Sequence, residues 1–256
     1  MKTLGVDVGS RYVKLAAFDG EELLFAEKLD TIKFYTLCRH AGKVDISRLP
    51  VFLEKGFAYE RVVSTGYGRY NVRIEGSAVI SEIKAHTLGA AYQSGLSDFT
   101  LLDLGGQDTK VVRVRGGEVD DFVMNDKCAA GSGRYLENIA TILGITPEEL
   151  AGHTDKPVPL SATCAIFGES EVVGALAEGA DIGHICAGAN LSVAQRLAPL
   201  ARRYGSDKYV ITGGVACNGG VLEFLGEKLG AELIVPRHPL FNGAIGCALE
   251  AAAVNA

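Results

Sequence analysis

The sequence predicts an α/β protein made of two copies of one structural unit. Three observations carry this. Apolar strand-like runs alternate with helix-like segments along the chain. The chain repeats itself at an offset of 96 residues: Asp7-Val8-Gly9 aligns with Asp103-Leu104-Gly105, Lys14 with Lys110, Gly20 with Gly116, Glu22 with Glu118 and Leu23 with Val119. Glycine supplies 32 of 256 residues, against a usual share of about 7%. With no collagen-like period, the excess belongs in tight turns and close approaches of backbone to ligand.

The elements follow in order. Each copy opens with an apolar strand ending in D-x-G, then a second strand, a glycine turn and a third strand. The turn is Asp19-Gly20 in the first copy, a strong hairpin signal, and Gly116-Gly117 in the second. Residues 59–65 read as a strand and 79–92 as a helix. In the second half, 132–143 is a helix opened by a Gly-Ser-Gly turn, and 168–177 and 186–204 are further helices. Residues 208–212 form a buried-type strand; 218–229, 232–235 and 243–253 finish as helix, strand, helix. The boundary falls near Gly95-Leu96-Ser97-Asp98. It gives domains 1–96 and 97–256, with the option that the last helix packs back on the first domain.

Composition narrows the function. The chain is 48% hydrophobic and 22% charged, which excludes global disorder. A net charge of −6 argues against a nucleic-acid or anionic-membrane binder, which carries a basic face. Only four residues separate Lys2 from Asp7, too few for a secretory apolar core of about 7–15. The weakly polar tract 243–254 is broken by Glu250 and is short of the roughly 20 residues a membrane span needs. A cytoplasmic protein is expected. Its six cysteines are then core residues, metal ligands or redox groups, not a disulfide frame. His40, His86, His153, His184 and His238 show no metal-ligand spacing and are not expected to hold a metal.

Three glycine-flanked turns have the chemistry to hold a nucleotide: Asp7-Val8-Gly9-Ser10, Asp103-Leu104-Gly105-Gly106-Gln107-Asp108, and Thr212-Gly213-Gly214-Val215-Ala216-Cys217-Asn218. Small residues let backbone N–H groups reach phosphate oxygens. Aspartates at strand ends suit a hydrated Mg2+, and Lys14 suits phosphate charge. Neither a Walker loop nor a GxGxxG fingerprint is present.

This constellation resembles the superfamily of actin, hexokinase and heat-shock-70 ATPases. The resemblance implies two duplicated actin-like (ribonuclease H-like) domains with a nucleotide cleft between them. Gly9, Ser10, Gly105, Gly106 and Gln107 would line the phosphates, Asp7 and Asp103 would sit near Mg2+ and the attacking water, and Gln107 would orient that water. Gly213 and Gly214, with Asn218 at the end of their turn, would approach the adenosine.

Two cysteines stand just ahead of helix-like stretches: Cys128 in Asn125-Asp126-Lys127-Cys128-Ala129-Ala130-Gly131-Ser132-Gly133-Arg134, and Cys164 in Thr163-Cys164-Ala165-Ile166-Phe167-Gly168-Glu169-Ser170. Helix N-termini favour thiolate and would stabilise an anionic metal–sulfur cluster. A structural zinc would want a local four-ligand array that is absent. A dithiol redox pair and an iron–sulfur cluster stay open. A cluster needs about four thiolates, which two chains supply together. Cys38, Cys186, Cys217 and Cys247 read as small buried hydrophobes.

Together with Ser64-Thr65-Gly66-Tyr67-Gly68-Arg69, these blocks resemble the activators of 2-hydroxyacyl-CoA dehydratases, a family shared with ATPase subunits of benzoyl-CoA reductases and reductases of double-cubane-cluster proteins. The resemblance runs from Leu4 to about Ala252. It implies a homodimer bridged by one 4Fe–4S cluster on Cys128 and Cys164 of both chains. ATP hydrolysis would drive one low-potential electron to a partner iron–sulfur enzyme, with ferredoxin or flavodoxin as donor. Ser132, Gly168 and Cys217 depart from the family's usual residues, which leaves the acceptor open. A cluster-free small-molecule kinase of the same superfamily, or a non-enzymatic nucleotide sensor or polymer-forming actin-like protein, would give Cys128 and Cys164 no role.

Overall fold

The computed structural model describes residues 1–40, 43–68, 74, 76–125, 132–160 and 165–253. The chain divides into two compact units: Met1–Leu96 with Gly117–Val119 and Phe241–Ala256, and Ser97–Gly116 with Asp120–Leu240.

The first unit is built on β1 (Lys2–Val8), which is buried along all but its first residue and is therefore central. It pairs antiparallel with β2 (Tyr12–Asp19), and β2 with β3 (Glu22–Asp30). The Asp19-Gly20 turn is a hairpin with Asp19 opposite Glu22. Asp30 then caps α1 (Thr31–Cys38), its carboxylate accepting from the Ile32 and Lys33 N–H groups. Two short strands, β4 (Arg39–His40) and β5 (Lys43–Val44), pair with each other, and Pro50 opens α2 (Pro50–Lys55). Strand β6 (Arg61–Thr65) lies parallel to β1, and β7 (Ser77–Val79) parallel to β6, giving the sheet order β3-β2-β1-β6-β7. The helix expected at 79–92 is α3 (Glu82–Ser94). Val79 is drawn into β7, and the Ser81 hydroxyl, accepting from the Lys84 N–H, sets the true start. Gly95 in the left-handed conformation ends it.

The second unit repeats the plan. β8 (Phe99–Leu104) pairs antiparallel with β9 (Thr109–Arg115), and β10 (Glu118–Met124) lies beside β9. Helices α4 (Gly133–Leu143), α5 (Pro147–Ala151), α6 (Ala165–Ala177) and α7 (Ile182–Ala201) follow. Then come β11 (Lys208–Thr212), α8 (Gly219–Leu229) and β12 (Glu232–Ile234). The sheet order is β10-β9-β8-β11-β12, with β11 parallel to both β8 and β12. Strand for strand, this is the order of the first sheet. Helix α7 starts four residues before the expected 186, where the Asp181 carboxylate accepts from the Gly183 N–H. The unexpected α5 carries a full capping box between Thr146 and Glu149, with Pro147 in its first turn.

The last helix, α9 (Asn242–Ala253), belongs to the first unit, where Ala244, Ile245 and Ala248 pack with Ala16 and Phe18 of β2. Leu4, Val6, Leu15, Phe34 and Val62 build the main core of the first unit. Leu102, Val111, Ile139, Val193, Ile211 and Leu225 build that of the second. Among the described residues, no helix is long and apolar enough to cross a membrane.

Candidate functional site

In the first unit the strand register sets Asp7 of β1 directly across from Lys14 of β2. The Lys14 ammonium donates to Asp7 Oδ2 at 3.0 Å. The turn after β1 is pinned on both sides: the Gly9 N–H donates to the Tyr12 carbonyl at 3.1 Å, and the Gly9 carbonyl accepts from the Thr31 hydroxyl at 2.9 Å. Ser10 stands exposed on this turn. A carboxylate, an ammonium and a small, exposed turn therefore share one strand end.

The second unit builds the same device. Asp103 lies across from Lys110. Lys110 Nζ is 3.6 Å from Asp103 Oδ2 and donates to Asp108 Oδ1 at 3.1 Å. Two carboxylates thus share this ammonium, an acidic strand end of the kind that suits a hydrated divalent cation. The Gly105 N–H donates to the Asp108 carbonyl at 3.0 Å, and Gly106 and Gln107 sit at the exposed tip of the turn. The Asp103 carboxylate is further held by the Thr212 hydroxyl at 3.1 Å, in a fully buried bond.

One symmetric feature escapes the 96-residue repeat. Thr65 stands opposite Asp7, and Thr212 opposite Asp103. Each threonine is followed by a glycine with positive φ, Gly66 at 101° and Gly213 at 87°. An added Cβ would fall on the Val8 carbonyl oxygen at Gly66 and on the Leu104 carbonyl oxygen at Gly213. The Thr-Gly step thus lets one strand end close against its neighbour, and only glycine tolerates both the conformation and the contact. The signal is present in the sequence as two Thr-Gly steps after apolar strands, but they are 147 residues apart and invisible at an offset of 96.

Gly214 opens a 3-10 turn, Gly214–Cys217, and Asn218 follows it. The Asn218 side chain is committed to the scaffold. Its oxygen accepts from the Val221 N–H at 2.8 Å as the N-cap of α8, and its amide donates to Asn190 Oδ1 at 3.0 Å. Asn190 in turn donates to the Leu150 and His153 carbonyls.

Cys128 and Cys164 lie outside the described residues. The helices that follow them are described: α4 opens at Gly133 and α6 at Ala165. The two helices meet where Gly168 faces the buried Tyr135 ring; an added Cβ there would stand 2.9 Å from Tyr135 Cε2. That close fit gives a local reason for the glycine. The other cysteines behave differently. Burial pushes the Cys38 and Cys186 thiols up to about 11, and burial followed by the Asp7 and Glu250 charges pushes Cys247 well above the ordinary thiol range. All three are held as neutral thiols in the core. Cys217 is exposed, contrary to its expected burial, because it ends a surface 3-10 turn. Among the described residues, no group of three or more His, Cys, Asp or Glu is placed to hold a metal ion.

Two sheets of matching strand order, each with an Asp–Lys pair at its D-x-G strand end, define an actin-like ATPase fold. A ROK family glucokinase from Streptomyces griseus shares that fold at a TM-score of 0.60 and 16% identity, covering 99% of this chain and 100% of its own. The chain belongs to the BadF/BadG/BcrA/BcrD ATPase family, whose model matches residues 4–251. It is 39% identical over 254 residues to the (R)-2-hydroxyglutaryl-CoA dehydratase activating ATPase of Acidaminococcus fermentans, covering 97% of this chain and 96% of that one. It also resembles the solved activator of the 2-hydroxyisocaproyl-CoA dehydratase from Clostridium difficile with bound ADPNP, with a TM-score of 0.85, 36% identity, and 98% and 94% of the two chains covered.

Proposed function

We propose that this protein is an ATP-driven electron donor that activates a 2-hydroxyacyl-CoA dehydratase or a related iron–sulfur enzyme. The observation that carries the reading is the pairing, within this ATPase family, of two Asp–Lys strand ends with two cysteines that each precede a helix. The core retains Cys38, Cys186 and Cys247 as neutral thiols; of the other three, Cys217 ends a 3-10 turn, and only Cys128 and Cys164 precede the helices α4 and α6.

The residues divide the work. Backbone groups of the Gly9-Ser10 and Gly105-Gly106-Gln107 turns bind phosphate, and Lys14 and Lys110 offset its charge. Asp7 and Asp103 would hold a hydrated Mg2+ ion, which would neutralise phosphate charge, and Gln107 would orient the attacking water. Gly213 and Gly214 flank the adenosine. The donor set suits a 4Fe–4S cluster: two thiolates from each chain of a homodimer make four, and the start of α6 directly after Cys164 favours its thiolate. Such a cluster supplies a one-electron carrier at low potential. A ferredoxin or flavodoxin would supply the electron, and ATP turnover at these turns would be the condition for passing it to the acceptor.

The test uses anaerobically purified protein. Asp103→Asn is expected to keep ADP binding and lose about a hundredfold or more of ATPase activity, because a charged ligand near the reacting phosphate acts mainly on the transition state. Cys128→Ala or Cys164→Ala each removes two ligands per dimer and is expected to abolish bound iron, whereas alanine at Cys38, Cys186, Cys217 or Cys247 leaves it. Wild-type turnover in Asp103→Asn overturns the nucleotide assignment. Iron retained by Cys128→Ala overturns the cluster.

A further inference from the structure

The two duplicated turns differ in what they set beside their glycine. An added Cβ at Gly9 would stand 3.2 Å from Lys14 Nζ, whereas one at Gly105 would stand 3.0 Å from Asp108 Oδ1. An ammonium lies against the first glycine and a carboxylate against the second. The backbone around them is the same. The Gly9 N–H donates to the Tyr12 carbonyl at 3.1 Å, and the Gly105 N–H to the Asp108 carbonyl at 3.0 Å. Tyr12 and Asp108 are therefore equivalent positions, 96 residues apart as the repeat requires.

The side chain at this position accounts for the difference. The Tyr12 ring is neutral and takes the Lys28 ammonium and the Arg11 guanidinium against it, 4.9 and 5.4 Å from its centre. Lys14 meanwhile donates to Asp7 at 3.0 Å. Asp108 instead brings both carboxylate oxygens to Lys110 Nζ, Oδ2 at 3.0 Å and Oδ1 at 3.1 Å. Lys110 stays 3.6 Å from Asp103 Oδ2, beyond the roughly 2.7–3.2 Å usual for a hydrogen bond. The threonines divide in the same way. Thr212 donates to Asp103 Oδ1 at 3.1 Å, while its counterpart Thr65 donates to the Ile80 carbonyl at 3.0 Å. A hydroxyl thus supplies at Asp103 the close hydrogen bond that a lysine supplies at Asp7.

We propose that Asp108 is a positioning residue that draws Lys110 from Asp103 to itself and limits the positive charge the second turn offers to phosphate. Its role rests on the ATP-driven reading above. Lysine is kept in both copies, but the Asp108 carboxylate, 28% exposed beside its turn, decides where the second one is held. Gln107, which orients the attacking water in that reading, is the next residue along the chain. A carboxylate on that side disfavours the fully charged ground state more than a loose transition state, in which negative charge has moved toward the leaving group. Asp108 therefore weakens nucleotide binding and speeds turnover.

The test compares wild-type protein with Asp108→Asn, which keeps the shape of the side chain and removes its charge. Calorimetry with ADPNP in EDTA reads binding without metal, and steady-state ATPase kinetics with Mg2+ read turnover. Asp108→Asn is expected to bind ADPNP about threefold to fivefold tighter, the effect of a partly exposed charge, and the gain is expected to shrink as salt is raised. KM and kcat are expected to fall together, leaving kcat/KM within about twofold of wild type. Asp108→Ser, a smaller neutral variant, is expected to do the same. A carboxylate that only held the loop in shape would leave KM unchanged or raise it. ADPNP bound equally or more weakly by the neutral variants overturns the role of Asp108 while the ATPase reading stands. Wild-type protein that binds no ADPNP overturns both.

Discussion

Replacing Lys110 by methionine separates two ways of ranking the duplicated ion pairs. By distance, the first-copy pair is the stronger, at 3.0 Å between Lys14 and Asp7 against 3.6 Å between Lys110 and Asp103. Coulomb attraction at an effective dielectric of about 20 gives roughly 5–6 kcal/mol for the first and 4–5 for the second. By burial, the order reverses. The side chains of Lys110 and Asp103 are 5% and 4% exposed, whereas Lys14 is 18% exposed and lets water screen its pair. Burial of the ammonium decides: Asp7 and Asp103 are similarly buried, at 6% and 4% exposed, but Lys110→Met strips a shared, buried cation from both Asp103 and Asp108, whereas Lys14→Met strips a partly exposed one from Asp7. Lys110→Met is therefore expected to cost about 3–5 kcal/mol and Lys14→Met about 1–2 kcal/mol. The double variant Asp103→Asn/Lys110→Met is expected to recover part of the loss, since it removes both charges together. With no tryptophan in the chain, urea unfolding followed by circular dichroism is the suitable assay. The Lys110 effect is expected to fall on the transition of the second unit if the two units unfold separately. A Lys14→Met cost equal to or greater than that of Lys110→Met refutes the burial argument.

Asn218→Ala removes the N-cap of α8 and one partner of Asn190, so a loss of about 1–2 kcal/mol is expected in the same assay, with nucleotide affinity little changed. Gly213→Ala forces a side chain into the left-handed region, costing about 1–2 kcal/mol, and drives its Cβ onto the Leu104 carbonyl. Protein that folds and hydrolyses ATP at the wild-type rate would contradict the close approach described for this turn. In cluster-free protein at pH 8, brief alkylation and peptide mapping are expected to label Cys217 and spare Cys38, Cys186 and Cys247. Because Cys38 and Cys186 hold their protons to about 11 in the fold, against 9.0 for an ordinary thiol, the stability this supports is complete below about pH 9. It is lost as pH rises from 9 to 11, so Cys186→Ala is expected to show a flatter fall in urea midpoint across that window than wild type.

Much of this fold is legible in the sequence because it is written in short-range chemistry. The D-x-G strand ends, the Asp19-Gly20 turn and the buried runs of β1, β8 and β11 depend on neighbours a few residues away, and each is found where the pattern puts it. The helix starts were less legible. Residues 79–92 read as one apolar-periodic stretch, but a serine cap two residues beyond Val79 and a parallel partner in β6 divide it into strand and helix. That partner lies fifteen residues upstream and is reached through a parallel crossover, which helical periodicity does not register. The capping box of α5 was present as Thr146-Pro147-Glu148-Glu149 and is the clearest signal that the periodicity reading passed over.

The site was legible to the extent that the duplication preserves sequence distance. Asp7 with Lys14 and Asp103 with Lys110 sit on hairpins, where register is fixed by a turn, and the 96-residue offset survives intact. The partners of these aspartates on the other side, Thr65 and Thr212, arrive through crossovers of different length. A sheet constrains which residues face each other and places no constraint on how much chain connects them. The second copy uses that freedom between β8 and β11 for α4 to α7, and between β10 and α4 for the segment that holds Cys128. The residues that vary between the copies therefore fall in the connections, while the strand ends that carry the Asp–Lys pairs are held by the hydrogen-bonded ladder.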